Sequence, residues 1–119
     1  MIRNVVLGRL DPDADEETRF ALDTGLLGIA GLRPPGLVGP MRLGFDAGLR
    51  EGGWSFAITN DWVDADAYRA YDLDPEHGEF RAMIARACSE LARVQFETPD
   101  LPPDIGDPAL PVDPEPLGL

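Results

Sequence analysis

Trp54-Ser55-Phe56-Ala57-Ile58-Thr59-Asn60-Asp61-Trp62 alternates without a break. Successive side chains of a strand point to opposite faces. Trp54, Phe56, Ile58, Asn60 and Trp62 therefore share one face, and Ser55, Ala57, Thr59 and Asp61 the other. The pattern predicts a strand over about 54–62 with one buried, aromatic-rich face. Asn60 sits among those apolar residues, and a buried amide needs hydrogen-bonding partners.

Upstream, residues 47–53 (AGLREGG) read as a loop and residues 37–46 (LVGPMRLGFD) as a strand. Pro40 withholds a ladder donor, which predicts an edge or bulged strand. Arg33-Pro34-Pro35-Gly36 ends a helix predicted over roughly 15–31, with Phe20, Leu22, Leu26, Leu27, Ile29 and Ala30 as its apolar face. Gly25 and Gly28 weaken that helix by about 1 kcal/mol each relative to Ala, and are expected to allow close packing on the sheet. The acidic set Asp11, Asp13, Asp15, Glu16 and Glu17 suits a helix N-terminus. It lacks the spacing, central glycine and closing glutamate of a calcium loop. Residues 2–10 (IRNVVLGRL) carry apolar side chains on both faces, which predicts a strand covered on both sides. Gly8 in its interior marks a bulge or a close approach.

Downstream, Asp64-Ala65-Asp66 opens a short helix through about Tyr71. Pro75 suits the first turn of another, expected to run to about Ala92 with Phe80, Met83, Ile84, Ala87 and Leu91 as its buried stripe. Residues 93–97 (RVQFE) form a last strand, with Val94 and Phe96 on one face. Residues 98–119 are dense in proline and acid and hold no basic residue. They read as an extended or disordered arm outside the domain at 1–97, with Leu101, Ile105, Leu110 and Val112 as apolar anchors for a partner subunit.

The order β-α-β-β-α-β is the split βαβ, or ferredoxin-like, α+β arrangement. Its helices cover one sheet face. Val5, Leu7 and Ala57 on the other face also need cover, which a second copy packed sheet against sheet supplies most simply. The first and third strands are expected as parallel neighbours, with Asn4 near Trp54 and Phe56, and Asn60 near Gly8.

The 119 residues suit one domain. A formal charge of -12 disfavours nucleic-acid and membrane partners. One cysteine, Cys88, gives no internal disulfide, and Cys88 with His77 is too small a set for a structural zinc site. No signal peptide or spanning segment is expected, and the default location is the cytoplasm. Gly48-Leu49-Arg50-Glu51-Gly52-Gly53 lacks the lysine and following helix of a phosphate loop.

Tyr71-Asp72-Leu73-Asp74-Pro75-Glu76-His77-Gly78-Glu79-Phe80 holds the chain's one histidine. Together with Met1-Ile2-Arg3-Asn4-Val5-Val6-Leu7 and Gly48-Leu49-Arg50-Glu51-Gly52, this stretch resembles the stress-responsive A/B barrel family, the dimeric α/β barrel or Dabb proteins, over about residues 1–97. The resemblance implies a homodimer whose two sheets form a shared barrel. One branch is a plant polyketide cyclase that closes a linear poly-β-ketide by aldol condensation without metal or cofactor. Its catalytic tyrosine and histidine fall on Tyr71 and His77. Two positions depart from the family. Asn4 stands where a first-strand histidine is usual, and Asp74 where a histidine before the proline is usual. Asn4 hydrogen-bonds but does not titrate.

The expected site follows from these residues. His77, with an ordinary pKa near 6.5, is a candidate general base for an acidic α-proton. Tyr71 is a candidate donor to the developing oxyanion. Asn4, Gly8, Phe20, Leu27, Trp54, Phe56, Asn60, Phe80 and Met83 are candidates for lining a pocket for an apolar, carbonyl-bearing ligand. The most concrete activity is an aldol-type cyclase. The alternatives are a non-catalytic ligand-binding or stress-response dimer, a cofactor-free monooxygenase, and a structural role in which His77 packs the start of a helix and Tyr71 fills the core.

Overall fold

The computed structural model describes residues 1–99. The expected C-terminal arm lies outside the described residues from position 100 onward. Seven elements follow in order: β1 (Ile2–Leu10), α1 (Glu16–Gly31), β2 (Leu37–Phe45), β3 (Phe56–Trp62), α2 (Ala65–Asp72), α3 (Pro75–Arg86) and β4 (Cys88–Glu97). The strands form one antiparallel sheet in the order β2-β3-β1-β4. This is the ferredoxin-like α+β arrangement.

Each helix begins on an aspartate whose carboxylate accepts a backbone N–H three residues on. Asp15 caps α1, Asp64 caps α2 and Asp74 caps α3. Such caps satisfy donors that a helix start leaves open, and each contributes about 1 kcal/mol. Leu22, Leu26 and Ile29 of α1 and Ile84 of α3 pack on Phe56, Ile58 and Trp62 of β3. Gly25 and Gly28 serve α3 rather than the sheet. A Cβ on Gly25 would press on the Phe80 carbonyl oxygen at 2.9 Å, and one on Gly28 would collide with the Phe80 ring.

β2 is the edge strand that Pro40 implies. Its register with β3 shifts between Val38 and Arg42, and Gly39 beside the proline holds a φ of +72°. Three expectations need correction. β1 and β3 are antiparallel, so Asn4 lies opposite Asn60 and Gly8 opposite Phe56. The crossover through α1 makes β2 parallel to β1, and the hairpin back into β3 reverses the direction once more. The last helix ends at Arg86 rather than near Ala92, and β4 begins at Cys88 rather than at 93. Ala87 and Leu91 continue the helical spacing, yet Leu91 belongs to a strand and pairs with Gly8.

Candidate functional site

α2 and α3 meet at a corner of two residues, Leu73 and Asp74. The Asp74 carboxylate accepts the His77 backbone N–H at 3.0 Å, and the Asp74 N–H donates to the Tyr71 carbonyl at 3.1 Å. These bonds fix the turn and bring Tyr71 and His77 together. Their rings stack with centroids 4.0 Å apart and an interplanar angle of 29°. Trp62 continues the stack, its centroid 4.5 Å from that of Tyr71. The six-residue spacing of tyrosine and histidine is thus a spacing across a helix–helix corner.

A chain of side-chain hydrogen bonds crosses the sheet beneath this stack. Gln95 Nε2 donates to Asn4 Oδ1 at 2.9 Å, and Asn4 Nδ2 donates to Asn60 Oδ1 at 3.1 Å. Trp62 Nε1 donates to the same Asn60 oxygen at 2.7 Å. Two donors on Oδ1 fix the orientation of the Asn60 amide. Its Nδ2 is buried without a protein partner among the described residues, and so is Nδ1 of His77. A buried polar group left unpaired costs about 1–3 kcal/mol. Asn60 is 3 % exposed and His77 8 %.

Asn4, Asn60, Tyr71 and His77 line one cavity of about 40 Å³. Val6, Ile29, Ile58, Ile84 and Leu91 supply its apolar wall, and Tyr68, Asp72, Arg81 and Arg93 also border it. That volume accommodates one to three waters or the reacting end of a small molecule. Burial lowers the pKa of His77, and Arg81 lowers it further, against Asp72 and the backbone carbonyls of Tyr71 and Asp72. The ring is therefore neutral at neutral pH. Burial, followed by the neighbouring Tyr68, pushes the Tyr71 phenol well above its ordinary value, so it remains a donor.

The other seven expected lining residues lie elsewhere. Phe20 and Leu27 are 74 % and 72 % exposed. They occupy the outer side of α1, because the inner side is taken by Leu22, Gly25, Leu26 and Ile29. Gly8 does not enlarge the cavity, since the Phe56 ring occupies the space where its Cβ would be. Phe80 and Met83 pack in the close approach of α3 to α1. Trp54 precedes β3 and borders a groove with Leu7 and Ala57, under the Arg9 guanidinium at 4.4 Å from the ring centroid. Sequence reasoning passed over Tyr68, Asp72, Arg81 and Arg93. The first two lie on α2 at one helical turn or less from Tyr71, and Arg81 lies one turn after His77. Helical spacing from the singled-out pair was the signal that finds these three; Arg93, on β4, has no such signal.

No protein-family model and no curated protein matches the chain. Solved structures do. A dimeric ferredoxin-like protein of unknown function from Thermobifida fusca is 30 % identical, with a TM-score of 0.69 over 82 % of this chain and 90 % of that one. A hydroxynitrile lyase from Passiflora edulis is 15 % identical, with a TM-score of 0.66 over 86 % and 96 %. A candidate antibiotic biosynthesis monooxygenase from Nitrosomonas europaea is 16 % identical, with a TM-score of 0.61 over 82 % and 98 %. The last two likenesses concern the fold alone.

Proposed function

The chain belongs to the family of dimeric ferredoxin-like proteins that the Thermobifida fusca structure represents, and on that premise we propose that it is a cofactor-independent enzyme acting on a small carbonyl-bearing metabolite. The observation that carries the reading is the cavity itself. A neutral imidazole with a buried, unpartnered nitrogen and a buried amide with an unpartnered N–H border the same 40 Å³ space, beside a phenol held protonated. A base, an oxyanion donor and a second donor are what enolisation requires.

In the proposed reaction His77 takes an α-proton and the electron pair moves onto the carbonyl oxygen. Tyr71 and Asn60 donate to that enolate oxygen. The enolate carbon attacks a second carbonyl of the same molecule, one carbon–carbon bond forms, and the imidazolium returns its proton to the new alkoxide. This is an aldol-type cyclisation, as in the polyketide cyclase branch of the stress-responsive A/B barrel proteins that the sequence resembles. The cavity volume narrows it. Only the reacting end of a substrate enters, and the remainder lies in the mouth. That a hydroxynitrile lyase shares the fold supports an enzymatic reading. The working unit is proposed to be a homodimer joined through the sheet face that the helices leave bare.

A second reading, a non-catalytic ligand-binding dimer, draws on the place of Tyr71 in the hydrophobic core at 4 % exposure. Deuterium incorporation into short β-diketones in D₂O, followed by NMR, separates the two. The enzyme should accelerate α-proton exchange. His77→Asn should reduce that rate by about 10²–10⁴-fold, and Tyr71→Phe by about 10²–10³-fold. Undiminished exchange in His77→Asn would sink the catalytic reading in favour of the binding one.

A further inference from the structure

Five basic residues bear on the question of what the substrate looks like outside the cavity. Arg3, Arg9, Arg69 and Arg81 each pair with an acid: Asp61, Glu90, Asp66 and Asp72. Arg93 makes no ion pair among the described residues. It projects from the helix-covered face of β4, opposite Val6 and two positions before Gln95, yet it is exposed. It borders the catalytic cavity together with Arg81, Asp72 and Tyr68. The Arg81 guanidinium is matched by the Asp72 carboxylate at 2.7 Å, so the mouth carries one net positive charge. The chain as a whole holds 22 acidic residues against 10 basic ones. Arg93 is thus an unmatched guanidinium at the cavity that the unpartnered Asn60 amide and the unpartnered His77 nitrogen both border. An acid at this position would have been the ordinary composition.

We infer that Arg93, with Arg81 beside it, is a carboxylate-binding site at the mouth of the cavity, and that the substrate is a small oxo acid whose carbonyl reaches Asn60 and His77 while its carboxylate stays at Arg93. The inference rests on the carbonyl reading of the inner cavity given above. The inner wall is neutral and admits two or three heavy atoms, which suits a carbonyl and its α-carbon. A planar guanidinium suits a carboxylate, which it grips with two parallel N–H···O bonds. Tyr68, whose hydroxyl feels Arg93, Arg81 and Asp72 together, is placed to donate to the same anion. Asp72 opposes the anion, but its charge is matched by Arg81 at 2.7 Å.

The test compares acetoacetate with acetylacetone, which replaces the carboxylate by a neutral acetyl group. Both are titrated into the ¹⁵N-labelled full chain at low salt. The indole N–H of Trp62 is the reporter, because it donates to Asn60 Oδ1; Trp54→Phe assigns it. Acetoacetate should bind about tenfold more tightly than acetylacetone, as one charge-assisted bidentate pair at a half-open site allows. In Arg93→Gln, whose side chain is exposed and whose fold the same spectra check, the ratio should fall to within about twofold of one. Added salt at about 0.5 M should do the same to the parent chain. Equal binding of the two probes, an unchanged ratio in Arg93→Gln, or no shift of Trp62 with acetoacetate up to about 50 mM each overturns the inference. Deuterium exchange in the same tubes tests the reaction separately. A carboxylate preference with exchange that does not need His77 would fell the enzymatic reading and leave the carboxylate site standing.

Discussion

The two faces of β1 and β3 come from the same residues taken alternately, and they end in opposite conditions. The helix-covered face holds Asn4, Gly8, Phe56, Ile58, Asn60 and Trp62, all buried. The bare face holds Val5, Leu7, Ala57 and Thr59, all half-buried, with the Arg3–Asp61 ion pair at 2.8 Å among them. Val94 and Phe96 of β4 stand exposed on the bare side. Polar groups are thus sealed in and apolar groups left out. Burying amides and an imidazole is costly unless something uses them, and a contiguous apolar face in water calls for a partner. The covered face reads as the site and the bare face as the proposed seam between copies.

Breaking the covered face should have the largest effect. Trp62 has no exposed surface, supports the Tyr71–His77 stack and holds the Asn60 oxygen. Trp62→Ala should lower unfolding free energy by about 3–5 kcal/mol in denaturant titrations; a loss below about 1 kcal/mol would show that the stack is not a keystone. Asn60→Leu should come next. It strands the donors of Asn4 and Trp62, for a loss of about 1–3 kcal/mol, and it should abolish the acceleration of α-proton exchange. The bare face should respond in assembly rather than in folding. Val94→Asp with Phe96→Asp should convert dimer to monomer in sedimentation velocity, with the far-ultraviolet circular dichroism unchanged. A dimer that survives the double change would move the seam elsewhere.

The smallest effect concerns pH. Burial holds the folded-state pKa of His77 below its ordinary value, so protonation favours the unfolded chain. The contribution is full above about 6.5, the unfolded value, and is lost as pH falls through that value and the lower folded one. Melting temperature should therefore drop below pH 6.5 more steeply in the parent chain than in His77→Gln. Parallel curves would mean that the ring is solvated.

Much of this architecture was readable from the chain. The alternation at 54–62 gave β3, Pro40 gave an edge strand with an irregular register, and Asp64 before Ala65 gave the start of α2. The stretch around His77 gave the pair that the corner brings together. What stayed hidden was hidden for physical reasons. No glycine or proline stands between α3 and β4, and Ala87 and Leu91 obey both helical spacing and the core, so the boundary fell late. Phe20 and Leu27 are apolar residues on an exposed side of α1, and composition alone cannot tell such a side from a buried one. Strand direction followed from counting reversals rather than from any residue pattern. Arg93 was invisible because a single arginine in a strand carries no periodic signal. Its meaning comes from what Asp72 and Arg81 do beside it.

The position of β1 has a consequence for the order of events during synthesis. Among the described elements β1 precedes the others, yet it lies between β3 and β4, pairing Ile2 with Trp62 on one side and with Glu97 on the other. Neither of its edges can be filled until β3 has emerged, and the second remains open until β4 has. An unpaired strand with apolar residues on both faces is a template for unwanted pairing. Shielding of nascent β1 until its partners emerge is then expected to aid production of this protein in a foreign host. Co-expression of a holdase that binds short apolar segments is expected to raise the soluble yield.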